Sequence, residues 1–199
     1  MRQFVLPLLT LFAAAAADAA DAAGVQAALT VQIDQNAAAS DKVKAFAKAT
    51  LIPVTVDAVL VREIQAQNAR KVPLADIQKN DQAWQKAEEE LPLQKECLSN
   101  ACAAEVRTLV KGMPAVRECF IMDDQGANVG QNELTSDYWQ GDEDKWQKSF
   151  AGGKGGVDVG KLKFDKSANA NLQQVSLPII AADGTVVGAV TFGLDVDKL

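Results

Sequence analysis

The sequence predicts an α+β fold, with helices from the first half of the chain packed on an antiparallel sheet built by the second. Three observations carry that reading. Residues from about Gly24 to Lys111 place apolar side chains at helical spacings of three and four. Residues from Pro114 to Leu199 alternate with the period of strands. Short glycine turns join these strands, and strands so joined run antiparallel. Helices followed by a sheet give packed layers rather than an alternating α/β fold. No period of about 20 to 50 residues recurs, which argues against a solenoid.

The chain opens on a short charged start, Met1-Arg2-Gln3, followed by an apolar run from Phe4 to Phe12 that Ala13 to Ala17 extend. Small residues then offer cuts after Ala17, Ala19 or Ala22, so residues 1–22 are expected to be a secretory signal peptide. An alanine-rich membrane helix would need about 20 apolar residues, and Asp18 and Asp21 interrupt the run first. No cysteine follows to carry a lipid anchor. The mature chain is expected to be soluble and exported, periplasmic or secreted, in a bacterium.

Residues 23–52 read as an N-terminal helical extension and 53–199 as one domain. Val43, Phe46, Ala47, Thr50, Leu51 and Val54 form a helical stripe that Pro53 interrupts. Val54-Thr55-Val56 has strand character, but Ala58, Val61 and Ile64 resume the helical spacing to about Arg70. Pro73 ends that helix. A second is predicted over Asp76 to Glu90, with Ile77, Asp81 and Trp84 on one side, and a third over Ala101 to Lys111, stopped by Gly112 and Pro114.

In the second half, Val116, Phe120 and Met122 are expected on one face of a strand, with Arg117, Cys119 and Ile121 on the other. Asp123 to Gly126 make a turn into Asn128-Val129. Gly152 to Gly156 turn into a second long strand, Val157 to Phe164. Leu172 to Ile180 is a third. Asp183-Gly184 then closes a hairpin into Val186 to Leu194, which faces Val186, Val190, Phe192 and Leu194 one way.

Composition narrows the chemistry. The 199 residues include 20 Lys plus Arg, 26 Asp plus Glu and no His, a net charge of −6. Without histidine there is no imidazole base, no Ser–His–Asp or Cys–His arrangement and no His-ligated metal. An acidic chain without a basic run is a poor partner for nucleic acid. Cys97 and Cys102 flank Leu98-Ser99-Asn100-Ala101. In one continuous helix their Cα atoms would lie roughly 8 Å apart along the axis, too far for a disulfide. A turn at Ser99-Asn100 would bring them into range, and export favours pairing; buried free thiols are the alternative. Cys119 reads as core.

Thr135 to Phe150 (TSDYWQGDEDKWQKSF) holds the only tyrosine, Tyr138, beside Trp139, with Trp146, Phe150 and interleaved acids. One reading is a pocket in which the aromatics stack a small ligand while Asp137 and Asp142 hold an amine or hydroxyl. The other is a short helix, capped near Gly141-Asp142, that buries Trp139, Trp146 and Phe150. Arg117 is a further candidate, for an anionic group. Two carboxylates would also suit a glycosidase-like hydrolase, provided they face each other at about 5 to 9 Å. The acids lack a calcium-loop pattern, and GGKGG lacks the spaced Gly-Lys-Ser/Thr of a phosphate loop. No cofactor or metal is called for.

Taken together, FIMDDQGANVGQNELTSDYWQGDE and KLKFDKSANANLQQVSLPIIAADGTVVGAVTFGLDV resemble the extracytoplasmic Cache-type sensor domains, also called PDC or PAS-like sensors. The resemblance covers about Pro53 to Leu199. It takes in Ala66-Gln67-Asn68, the Asp81/Trp84 helix, Met122-Asp123 with Gly126, Ser176-Leu177-Pro178, and Gly184 and Gly188; Thr135 to Glu143 is its most specific block. It implies a five-stranded antiparallel sheet with a long N-terminal helix behind it and a small ligand on the other face, under loops. It further implies a sensor of organic acids, amino acids or similar solutes, without catalysis. Nothing follows Leu199 in this sequence, so the resemblance implies a free-standing domain that signals through a separate membrane receptor or kinase. The rival readings are an accessory protein that docks on such a receptor without a ligand, and the carboxylate hydrolase.

Overall fold

A computed structural model describes residues 21–165 and 170–199. The first 20 residues of the expected leader lie outside the described residues. Among the described residues, no helix is long and apolar enough to cross a membrane.

The helices are α1 (Ala22–Gln35), α2 (Asp41–Phe46), α3 (Ile52–Val54), α4 (Ala58–Asn68), α5 (Leu74–Gln85), α6 (Pro92–Ser99) and α7 (Ala101–Lys111). Strands β1 (Val116–Met122) and β2 (Asn128–Gln131) follow, then α8 (Asp144–Phe150). The remaining strands are β3 (Asp158–Val159), β4 (Lys163–Asp165), β5 (Ala170–Ile180) and β6 (Val186–Asp195). The α+β class expected from the sequence is the class observed. All strand pairs are antiparallel, in the order β2-β1-β6-β5, with β3 and β4 both on the outer side of β5. The sheet has six strands rather than five because two short pieces share its edge position.

Local chemistry explains the helix boundaries. Asp21 caps α1 by accepting from the Gly24 amide, and Asp57 caps α4 through the Val59 and Leu60 amides. The interruption expected at Pro53 is a π-helical turn, Ala47–Leu51, running into α3. Proline lacks the amide that a regular helix would need there. In place of the single long helix that the resemblance implies, there are three helical runs: α1, a continuous run from α2 through the π-helical turn to α3, and α4. Helix α5 stops at Gln85, short of the expected Glu90, and α6 is a helix that apolar spacing did not reveal. Pro92 begins α6, and the Leu91 amide donates to Gln94 Oε1.

The sheet has two dissimilar faces. One presents Cys119, Ile121, Val175, Leu177, Val190, Phe192 and Leu194 to the helices. Leu29, Ile33, Leu51, Leu60, Ile64 and Val106 fill the same core from the helical side, each side chain contributing roughly 1.5–3 kcal/mol by leaving water. The second face presents Phe120, Met122 and Ala189 to Trp146 and Phe150 of α8. Those two rings stack with centroids 5.1 Å apart.

Two irregularities depart from the alternation read in the sequence. Val116 pairs with Leu194 and Glu118 with Gly193, so Arg117 is an extra residue, a β-bulge. Val116 therefore packs in the helix-side core with Cys119 and Ile121, not with Phe120 and Met122. The second long strand expected over Val157 to Phe164 is divided into β3 and β4, with 160–162 bowing off the sheet between them. The bow stays attached because the Gly160 amide donates to the Gln174 carbonyl and its own carbonyl accepts from Gln173 Nε2.

The turn at Asn100 exists, yet Cys97 and Cys102 are not bridged. Cys97, Cys102 and Cys119 are free and buried. Asn100 is taken up by the Ala103 amide and the Val129 carbonyl. Cys97 Sγ meets the Asn128 carbonyl at 3.7 Å, while Cys102 packs where a side chain on Gly130 would be. Burial pushes the Cys97 thiol up to about 12 and raises those of Cys102 and Cys119 well above the ordinary thiol value too. A thiol reagent should titrate no cysteine in the folded protein at neutral pH and all three in urea. Rapid labelling of the native protein would contradict this packing.

Candidate functional site

The second face of the sheet is covered by α8, and the segment that leads to it from β2 contains most of the acidic and aromatic residues singled out above. Its attachment begins at the β1–β2 turn. Asp123 is buried; Oδ1 accepts from the Gln125 and Ala127 amides and Oδ2 from Gln67 Nε2. Burial raises its carboxyl pKa despite those bonds. Asn68 completes the clamp, donating to the Val187 carbonyl and accepting from the Asp124 amide. The Gln67-Asn68 pair thus ties α4 to the turn and to β6.

All three tryptophan N–H groups end on backbone carbonyls around this turn and loop. Trp84 donates to Thr135 at 2.9 Å, Trp139 to Gln125 at 2.8 Å and Trp146 to Asp123 at 3.0 Å. From α5, Asp81 Oδ1 accepts both the Tyr138 and Trp139 amides, at 2.8 and 3.0 Å. Asn128 Nδ2 holds Thr135 Oγ1 and the Asp137 carbonyl from below. A buried polar group needs such partners, and here they hold residues 135–140 alongside the β1–β2 turn, where the Asn128 amide donates to the Tyr138 carbonyl and the Gln140 amide to the Gly126 carbonyl.

The five sequence-predicted residues do not converge on one point. Tyr138 is turned inward, buried among Ile77, Trp84, Cys97 and Ala127, its ring 5.6 Å from that of Trp84. It borders a cavity of about 40 Å³, room for about one water. Trp139 is half-buried beside it. Asp137 is half-buried and bonds Ser136 and Gln140. Asp142 is exposed on the following turn. Arg117 donates from Nε and Nη2 to Oδ2 of Asp195, whose carboxyl pKa it lowers, so its anion is supplied from within. The acids after Gly141 face solvent or a lysine: Asp144 pairs with Lys148 and Glu143 with Lys145. They form no opposed pair of the kind a glycosidase needs.

A larger space lies at the other end of the same face. It is a cleft of about 510 Å³ whose lining includes Arg117, Glu118, Gly160, Lys161, Lys163 and Phe164, with Leu172, Gln174 and Gly193. The β1 bulge turns Arg117 and Glu118 toward the same space, and the bow between β3 and β4 makes the opposite wall. Gln174 Nε2 donates to Glu118 Oε2 at 3.3 Å. A Cβ on Gly193 would stand 3.0 Å from the Cβ of Glu118, so the glycine is what lets that side chain lie across β6. Phe164 is 57% exposed at the rim.

Of the predicted residues only Arg117 lines this cleft. Glu118, Gln174, Lys161 and Lys163 were not singled out, because they meet only through the pairing of β1, β6 and β5 and the interrupted edge. The one local signal was Glu118 itself, an acid inside an apolar strand.

Solved structures to which this chain is similar include sensor and ligand-binding domains. Three of them are the sensor domain of the Vibrio cholerae histidine kinase DctB (14% identity, TM-score 0.41, covering 88% of this chain and 59% of that one); the ligand-binding domain of the Pseudomonas aeruginosa amino acid chemoreceptor PctC with GABA (10%, 0.39, 70% and 58%); and that of the Campylobacter jejuni chemoreceptor Tlp3 with 4-methylisoleucine (16%, 0.38, 77% and 64%). The chain spans less than two thirds of the length of each. No family model and no curated protein matches the sequence.

Proposed function

We propose that this chain is an extracytoplasmic sensor domain of the Cache type, which binds a small organic solute and acts through a separate membrane partner without catalysis. The observation that carries the reading is the cleft. Its volume of about 510 Å³ falls among ordinary small-ligand sites, roughly 300–1,000 Å³. It mixes an apolar wall, Phe164 and Leu172, with a few polar groups, Glu118 and Gln174, as such sites do. It also lies on the sheet face away from the main helical layer, where the resemblance puts a ligand. The leader read in residues 1–22 supports export.

A thermal-shift screen of organic acids, amino acids and amines against the mature protein tests this. One or more solutes should raise Tm, and Gly160→Trp should abolish the rise while keeping the circular dichroism of the wild type. A Cβ at Gly160 meets nothing nearer than 3.6 Å, so the indole fills the cleft without rebuilding the backbone. If no solute shifts Tm, or if the shift survives Gly160→Trp, the reading fails.

A further inference from the structure

We propose that the cleft takes up an organic anion together with one proton, and that the carboxyl of Glu118 carries the proton. The proposal rests on the cleft being the binding site, and it names the charge class of the ligand and a regulation by pH.

The charge at the cleft runs against that of the chain. Overall, acids outnumber bases by 26 to 20; among the described residues that line the cleft, Arg117, Lys161 and Lys163 stand with one acid, Glu118. Arg117 is neutralised by Asp195, so the charge left for a ligand is that of the two lysines. Among the described residues, Lys161 and Lys163 have no ion-pair partner. Two lysines with no carboxylate partner among the described residues, lining one cleft with Phe164 and Leu172, suit a carboxylate head on a hydrocarbon chain.

Glu118 sits on the floor that such an anion approaches. From β5 it receives the Gln174 amide, and from β6 it meets only the bare backbone of Gly193. From α8 the nearby cation is Lys145, which is already held by Glu143 at 2.9 Å and Gln140 at 3.1 Å, over the Phe120 ring. From the loop after β2, Glu133 and Asp137 add like charge. Burial first and these acids last raise the Glu118 pKa, while Gln174 and Lys145 lower it; the net effect is upward. A second carboxylate arriving from solvent adds to the raising side. The ionised pair is then disfavoured and the protonated carboxyl becomes a donor to the anion. The balance is one anion and one solvent proton taken up, both returned on release.

The sign follows. Anion affinity should be greatest at low pH, where Glu118 is already neutral. It should fall by about tenfold per pH unit once the pH exceeds the Glu118 pKa of the unliganded cleft.

Calorimetric titration with hexanoate, and with hexylamine as its cationic counterpart, tests this in buffers of differing ionisation heat between about pH 6 and 8, where hexanoate is ionised. We expect hexanoate to bind and hexylamine not to, with net proton uptake that rises as the pH passes the Glu118 pKa of the unliganded cleft. Glu118→Gln keeps the shape without the proton, so its affinity should be independent of pH and uptake zero. Lys161→Ala with Lys163→Ala should weaken hexanoate at every pH. The proposal is overturned by failure of hexanoate to bind, by binding without proton uptake, or by uptake that persists in Glu118→Gln. Hexylamine binding that Gly160→Trp abolishes would overturn the anion and leave the cleft; solute binding indifferent to Gly160→Trp would remove the cleft itself.

Discussion

Asp81→Ala should cost about 3 kcal/mol of unfolding free energy, because a buried carboxylate oxygen that serves two amides leaves both without a partner. Asp81 is only 9% exposed, and its Oδ1 receives the Tyr138 and Trp139 amides while Oδ2 takes Gln85 Nε2. Asp81→Asn retains one acceptor oxygen for the two amides and should cost about 1 kcal/mol, the Gln85 amide turning over to accept in its place. Urea unfolding of the two variants makes the comparison. Amide exchange should also quicken in the segment after β2, since α5 no longer holds it to the sheet. If Asp81→Ala unfolds within about 0.5 kcal/mol of wild type, the tryptophans, the Asn128 side chain and the backbone bonds of Tyr138 and Gln140 hold the segment without Asp81.

That Asp81 could be found at all is a matter of spacing. Ile77, Asp81 and Trp84 recur at helical intervals, so the sequence placed them on one side of one helix, and all three are buried. The β5–β6 hairpin was equally legible, since Asp183-Gly184 and the apolar alternation on either side are local patterns. The bulge at Arg117 was not. An extra residue in a strand changes no composition and is defined only by its partner, here the pairing of Val116 with Leu194 and Glu118 with Gly193. Assuming strict alternation therefore put Arg117 on the wrong face and hid its closeness to Glu118. Helix α6 was missed for another reason: its buried residues, Gln94 and Cys97, are too few for a stripe. The break between β3 and β4 left no mark beyond Gly160. The cleft needs the bulge and the break at once, so its walls were illegible even though most of the fold was not.

Tyr138→Ala should have the larger effect of the two, about 4 kcal/mol, by analogy with other aromatic-to-alanine changes in a core. For a domain of this size the loss is on the order of 10 °C in Tm. The ring is 7% exposed and packs on Trp84, Ile77, Cys97 and Ala127, so truncation leaves a void that the clamped turn cannot close. Its hydroxyl is a different matter. Among the described residues it has no hydrogen-bond partner, and burial pushes the phenol pKa well up, so ionisation plays no part near neutral pH. Tyr138→Phe should stay within about 1 kcal/mol of wild type. The pair also separates two locations for ligand binding. A rim residue that caps a solute with its hydroxyl would lose the solute on conversion to phenylalanine. A packing residue remote from the cleft would not, and hexanoate should raise the Tm of Tyr138→Phe as much as that of wild type. If Tyr138→Phe melts like wild type yet no longer responds to any solute, the ligand lies beneath residues 135–140 beside Tyr138, and the cleft around Glu118 is not where this domain senses.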